Sequence, residues 1–293
     1  MNQQKKIIYD CDNTFGIQGC DVDDGLALLY LLGCEEAEIL GITAAYGNSN
    51  IDAVHNNIRK MLKEIGREEI RAIKGGSCSG DYKSEASIFL ADAARENQKQ
   101  ISILATGSLT NLQGAYEYDR DFFNHVKEIV LMGGITEPLV FAKKNMDELN
   151  LSCDPKASYN VLQHGKNVSV ITGNNCLKVL FTRAEYCWRL CRSKQPVARY
   201  IRDETDYWFD DNQNHYGIPG FYNWDVTAAA YLMYPQLFND HDMQFQLSTE
   251  DLQRGYLREQ ESGTVLKLPS IGSAEAFQQN IYDNWLKVSI PRK

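Results

Sequence analysis

The chain has 293 residues, 43% of them apolar and 24% charged, with a formal net charge of −9; it is long enough for one large α/β domain or two small ones. No basic run or basic face stands out, which argues against a nucleic-acid or anionic-membrane partner, and no stretch is apolar for long enough to span a bilayer. Met1 to Lys6 carry no apolar leader, and the eight scattered cysteines suit reduced thiols in a cytoplasmic protein, since Cys187 and Cys191 find no second pair to complete a zinc set.

Strand-like and helix-like runs alternate along most of the chain, the pattern of a largely parallel sheet covered by helices on both faces. Residues 7–11 read as the first buried strand and 25–32 as the amphipathic start of a helix. A strand at 39–45 ends at Tyr46-Gly47-Asn48, a helix follows over 51–65, and a strand at 70–74 is closed by Gly75 and Gly76. After a small, polar loop at 77–84 the pattern gives a helix over 85–97 and a strand over 101–105. The turn from Thr106 to Asn111 offers hydroxyls to cap the next helix.

A strand at 128–131 stops at Met132-Gly133-Gly134, and 135–145 is irregular. Asp154 and Pro155 mark a helix start, as N-cap and first helical residue. A strand at 168–172 leads to Asn174 and Asn175, and 183–210 reads as one helix with Tyr207, Trp208 and Phe209 near its end. A loop at 217–220 precedes a helix opened by Asp225. Antiparallel strands around Phe245, Tyr256 and Val265 and a helix over 274–285 complete the chain. With no repeat or linker, residues 1–293 are read as a single domain. Its strand ends share one rim, where open α/β sheets bind ligands.

That rim holds a crowd of carboxylates: Asp10 and Asp12 at the end of the first strand, then Asp21, Asp23 and Asp24 at the first helix. They would repel one another unless a cation or a polyhydroxyl ligand held them. Asp12, Asp23 and Asp24 are hard oxygen ligands beside a helix N-terminus; a Ca²⁺ there would need more oxygens, such as a backbone carbonyl from another strand end and one further carboxylate. Capping that helix would occupy one carboxylate and leave the others unexplained.

Asp10-Cys-Asp12 with Asp23-Asp24-Gly-Leu-Ala-Leu resembles the N-terminal signature of the calcium-dependent nucleoside hydrolases. Gly41 to Asn48, Ala105 to Leu112, Ile129 to Gly134, Glu148-Leu-Asn150 with Asp154-Pro155, and Gly217 to Gly220 with Trp224-Asp225 resemble that family's further motifs in order. The resemblance spans roughly residues 5 to 290. It implies hydrolysis of the N-glycosidic bond of a nucleoside to ribose and free base. Asp12 would be the general base and touch a calcium ion, whose other ligands would be Asp24, Asp225 and the main-chain carbonyl of Leu131. Asp23, Asn48, Glu148 and Asn150 would hold the ribose hydroxyls. A homodimer or homotetramer is implied as well.

The sequence departs from the family in two places. The loop 13–22 is longer than the family's compact version, which leaves Asp21 in competition with Asp23 for the sugar. Trp224 stands where base-nonspecific and inosine-uridine-preferring members place a histidine; that resembles the purine-preferring members, with Tyr82, Tyr207, Trp208 or Tyr222 as a second aromatic face. His215 is the histidine nearest in sequence to that motif. Two other readings stand beside the hydrolase: a non-catalytic ribose- or nucleoside-binding protein, and a haloacid-dehalogenase-type phosphatase with Asp10 as nucleophile and Mg²⁺ as metal.

Overall fold

The computed structural model describes residues 4–291; Met1 to Gln3, on which part of the leaderless reading falls, lie outside them. The strands are β1 (Lys5–Cys11), β2 (Ala37–Ala44), β3 (Ala72–Lys74), β4 (Ile101–Ala105), β5 (Glu128–Met132), β6 (Leu139–Val140), β7 (Asn145–Met146), β8 (Val168–Ile171), β9 (Phe238–Asn239), β10 (Asp242–Gln246), β11 (Arg258–Glu259), β12 (Thr264–Lys267) and β13 (Ser270–Ile271). Nine of them form one sheet in the order β11-β10-β12-β8-β5-β4-β1-β2-β3. Neighbours from β8 to β3 are parallel, and β10 is antiparallel to both β11 and β12. The fold is therefore the expected α/β class with a mixed, largely parallel sheet.

The central strands are apolar on both faces because both faces are covered. Along β1, Ile7, Tyr9 and Cys11 enter one core cluster, while Ile8 enters the other. The covering helices are α1 (Asp23–Gly33), α2 (Ile51–Glu64), α3 (Glu85–Glu96), α4 (Thr110–Tyr118), α5 (Phe122–His125), α6 (Pro155–His164), α7 (Gly173–Cys176), α8 (Arg183–Cys191), α9 (Pro196–His215), α10 (Trp224–Met233), α11 (Thr249–Leu252) and α12 (Ala274–Trp285). Asn50, Ser84, Asp154 and Ser273 each accept a backbone N–H of the helix they open. These side chains fix where α2, α3, α6 and α12 begin.

Several elements differ from the sequence reading. Helix α1 is not amphipathic: it lies between α10 and α12 and is buried on every side except at Leu32. Trp285 Nε1 donates to the Leu26 carbonyl at 2.9 Å, and a Cβ on Gly33 would stand 1.9 Å from the Asn284 carbonyl oxygen. The expected helix over 183–210 is two helices, broken ahead of Pro196, which lacks an N–H and disfavours helix in the residue before it. The irregular stretch after Gly134 contains the hairpin of β6 and β7. Around Tyr256 there is an isolated parallel bridge to Ile135, and the strand itself is β11. The Thr106 turn does not cap α4, whose N-cap is Leu109 with no side-chain bond; the Thr106 hydroxyl goes to Asp24 instead.

The loop 13–22 is wedged against α1, because a Cβ on Gly25 would lie 2.3 Å from the Phe15 ring. Helix propensity alone predicts that Gly25→Ala stabilises α1 by about 1 kcal/mol. Overpacking against Phe15 outweighs that gain, so the substitution is expected to destabilise the protein by about 1–3 kcal/mol. Urea unfolding checks the sign, and a more stable variant would show that Phe15 is free to move away.

Candidate active site

Strand β1 runs directly into Asp12, which is fully buried. Its Oδ2 accepts the Asn48 backbone N–H at 2.6 Å, and Asn48 Nδ2 lies 3.3 Å from its Oδ1. The close approach needs a glycine beside it: a Cβ on Gly47 would be 2.0 Å from Asp12 Oδ2. Sequence reasoning passed over Gly47, although its place between the strand end and Asn48 was a signal. Burial pushes the Asp12 carboxyl up to about 7 from 3.8, against the Asn48 N–H, which favours the charged form.

Asp23 and Asp24 occupy the first turn of α1, and Asp225 the first turn of α10. Two helix N-termini thus converge on the same spot, and their dipoles favour negative charge there. Carboxylate oxygens of Asp23, Asp24 and Asp225 lie within 4.8 Å of one another, and all three residues are buried. Thr106 Oγ1 donates to Asp24 Oδ1 at 2.8 Å, Asn48 Nδ2 sits 3.3 Å from Asp24 Oδ2, and the Asp225 N–H donates to Asp23 Oδ2 at 3.1 Å. Burial, followed by the nearby charges of Asp12 and Asp23 respectively, holds the Asp24 and Asp225 carboxyls well above the usual range.

None of the ion pairs among the described residues involves these carboxylates. A buried, all-oxygen, uncompensated set of this kind fits a hard divalent cation. Asp12 stands beside the trio, joined to Asp24 through the shared Asn48 amide. Leu131 is buried near the end of β5, in register between Ala105 and Val170, and it is the next residue, Met132, that reaches the pocket.

Above the carboxylates lies a cavity of about 280 Å³. Of the residues singled out from sequence, Asp21, Asp23, Asn48, Glu148, Asn150, Trp208, Trp224 and Asp225 line it. Both Glu148 oxygens are engaged by main chain: Oε1 accepts the N–H groups of Gly134 and Leu151 at 3.0 and 2.8 Å, and Oε2 that of Ser152 at 2.9 Å. Glu148 thereby orders the segment that presents Asn150, whose Nδ2 donates to the Met132 carbonyl at 3.0 Å.

Other candidates fall elsewhere. Tyr82 bonds Asp154, Tyr222 packs on Trp224 with ring centroids 5.2 Å apart, and Tyr207 bonds the loop 13–22. His215 is exposed with its ring on the Asp211 carbonyl. Asn174 and Asn175 serve the main chain of Thr136 and Pro269. Asp10 is wholly buried, with Oδ1 taking donors from Thr43 and Asn111 across β2 and α4. That placement ties β1 to β2 and α4. Tyr216, at the C-cap of α9, lines the cavity and was missed because its helix appeared to end earlier.

Residues 7–279 match the family model described as inosine-uridine preferring nucleoside hydrolase. The chain is 24% identical over 285 residues to a probable uridine nucleosidase from Oryza sativa subsp. japonica, covering 86% of this chain and 81% of that protein. It is 24% identical over 261 residues to a pyrimidine-specific ribonucleoside hydrolase from Citrobacter koseri, covering 79% and 80%. The solved structure of a purine-preferring ribonucleoside hydrolase from Gardnerella vaginalis superposes with a TM-score of 0.84 at 22% identity, over 97% of this chain and 99% of that one. A match to the family model over nearly its whole length, on a fold whose strand ends gather this acidic pocket, means that the chain belongs to the inosine-uridine preferring nucleoside hydrolase family.

Proposed function

We propose that the chain hydrolyses the N-glycosidic bond of ribonucleosides, purine nucleosides favoured, with calcium as its cofactor. The observation that supports this reading most is the buried trio of Asp23, Asp24 and Asp225 beside Asp12, beneath a pocket whose further wall carries Trp208 and Trp224. In this reading Asp12, Asp24, Asp225 and the Leu131 carbonyl hold the ion, and Asp23, Asn48, Glu148 and Asn150 hold the ribose. Bound there, calcium would neutralise part of the acidic charge and acidify a neighbouring water. Residues 1–293 act as one domain, in the cytoplasm, as a homodimer or homotetramer.

Asp12 takes the proton from the attacking water, its orientation fixed by Asn48. As the bond to the base stretches, the sugar gains oxocarbenium character, and the surrounding carboxylates stabilise that charge. The two indoles offer the base apolar faces; a two-ring purine covers more of them than a one-ring pyrimidine. No histidine lines the cavity among the described residues, so the departing purine takes its proton from water at a ring nitrogen.

Reducing-sugar release is expected from inosine and guanosine faster than from uridine, to vanish with a chelator and to return with calcium. Asp12→Asn is expected to lower kcat by about 100- to 10,000-fold while nucleoside still binds. Nucleoside binding without sugar release by the parent would instead mean a binding protein, and phosphate release from sugar phosphates alone would mean a phosphatase.

Gly47→Ala tests the approach to Asp12 separately. The added methyl displaces the carboxylate, so kcat is expected to fall at least about tenfold, the effect of roughly 1.4 kcal/mol on the barrier. Unchanged kcat would remove Asp12 from the chemistry.

Calcium binding should also show in the pH dependence of stability. Burial raises Asp12 and Asp10 to about 7 and Asp23 to about 6, from 3.8. Between about pH 4 and pH 7 the metal-free folded state therefore binds more protons than the unfolded chain, and its stability falls as pH rises through that window. A cation competes with those protons, so calcium is expected to raise the Tm more at about pH 8 than at about pH 5. Calorimetry of chelator-treated protein with and without calcium checks this, and equal shifts at both pH values would place the ion elsewhere.

A further inference from the structure

The cavity has two adjoining walls drawn from distant parts of the chain. Gly19, Cys20 and Asp21 come from the loop 13–22, and Trp208 comes from α9, with Tyr216 at that helix's C-cap. Tyr207 joins the two walls. Its hydroxyl lies 2.8 Å from the Ile17 carbonyl oxygen and 2.9 Å from that of Cys20, and its single hydrogen is shared between them. Gly16 and Gly19 adopt φ of +78° and +80°, which turns the chain so that both carbonyls converge on one hydroxyl.

The loop is no loose insertion. Thr14 Oγ1 donates to the Asp21 carbonyl at 2.9 Å, and Asn57 Nδ2 reaches the carbonyls of Asn13 and Phe15 at 3.3 and 3.2 Å. Asp21 Oδ1 in turn accepts the Val22 N–H at 2.7 Å and lies 3.4 Å from the Asp23 nitrogen. A displacement at Cys20 is therefore passed through Asp21 to Asp23, at the acidic end of the cavity. On the other side, Trp208 follows Tyr207 in the same helix, with the two rings edge to face at 6.4 Å.

We infer that Tyr207 is a positioning residue that sets the separation between the acidic end of the pocket, at Asp21 and Asp23, and its aromatic end, at Trp208 and Trp224, and so selects nucleosides by the size of the base. The inference rests on the hydrolase reading above. Tyr207 does no chemistry itself. It holds in register two surfaces that a nucleoside must touch together, and a bound base narrower or wider than the spacing leaves one of them unmade.

The test is steady-state kinetics of the full chain with calcium, on inosine and on uridine. Tyr207→Phe keeps the ring and deletes the hydroxyl. Its KM is expected to rise about three- to tenfold, the scale of one lost hydrogen bond, with kcat within about twofold of the parent. The inosine-to-uridine ratio of kcat/KM is expected to change by about threefold or more, because the lost spacing acts on base size. Thr14→Val loosens the same wall from the loop side and is expected to move KM and the base ratio in the same direction. Tyr118→Phe, on the surface at 54% exposure, is expected to keep parental values.

Parental KM and base ratio in both pocket variants would overturn the inference. So would a fall in kcat and Tm with KM unmoved, or failure of both variants to fold, since each would assign Tyr207 to fold support alone. If the parent releases no sugar from either nucleoside, the hydrolase reading fails and this inference with it. An active parent with unaltered variants removes the inference only.

Discussion

Mutual repulsion among buried carboxylates is the constraint on which the rest of this molecule depends. Asp12, Asp23, Asp24 and Asp225 are each at most 3% exposed, and no Lys, Arg or His pairs with them among the described residues. An isolated buried carboxylate protonates or finds a partner. Four together require either shared protons or a cation, and both remedies demand that their oxygens be held at fixed separations.

The fold supplies that fixity by drawing each group from the end of a regular element. Asp12 follows a central strand paired on both edges, Asp24 and Asp225 sit in the first turns of two helices packed on each other, and Asn48 lies beyond a neighbouring strand. Where side chains come closest, the neighbours are small or polar: Gly47 at Asp12, and Thr106 at Asp24. Helix α1, which presents two carboxylates at its tip, is apolar along nearly its whole surface and is buried by α10 and α12, so it can shift neither along nor about its axis without breaking those contacts. The Gly33 contact with α12 and the Trp285 bond to Leu26 hold it at that depth.

What the sequence made legible follows from how local its physics is. Apart from α5 and the β6–β7 hairpin, strand and helix positions through residue 164 rest on apolar runs and caps such as Asp154 with Pro155, and they match to within a few residues. The gathering of Asp23, Asp24 and Asp225 beside Asp12 was legible because these residues sit at a strand end and at helix starts on one rim of the sheet. Legibility failed where distant segments decide the outcome. Thr106 reads as a cap by its local pattern, yet its hydroxyl serves Asp24, 82 positions away. The aromatic wall was blurred for the same reason: Tyr207 and Trp208 are adjacent and chemically alike, and only the packing of α9 turns one toward the loop and the other into the cavity. Pro196 was a local signal for the break between α8 and α9 that the reading of one helix over 183–210 did not use.

This division bears on substrate choice. The carboxylates and Asn48 stand on the sheet rim and on the tips of buried helices, elements whose position is over-determined by the core. The groups that would face a base stand on α9, on its C-cap and at the start of α10, and α9 meets the loop 13–22 through the Tyr207 hydroxyl. In the proposed reading, cleavage at the sugar, common to every nucleoside, belongs to the core-held end and discrimination among bases to the other. Relatives at about one-quarter identity carry names for uridine and pyrimidine hydrolysis, and a structural neighbour of the same fold is named for purines. In the proposed reading that spread follows from the same division: the core-held acidic set serves the sugar, which all these substrates share, and the aromatic wall serves the base, in which they differ.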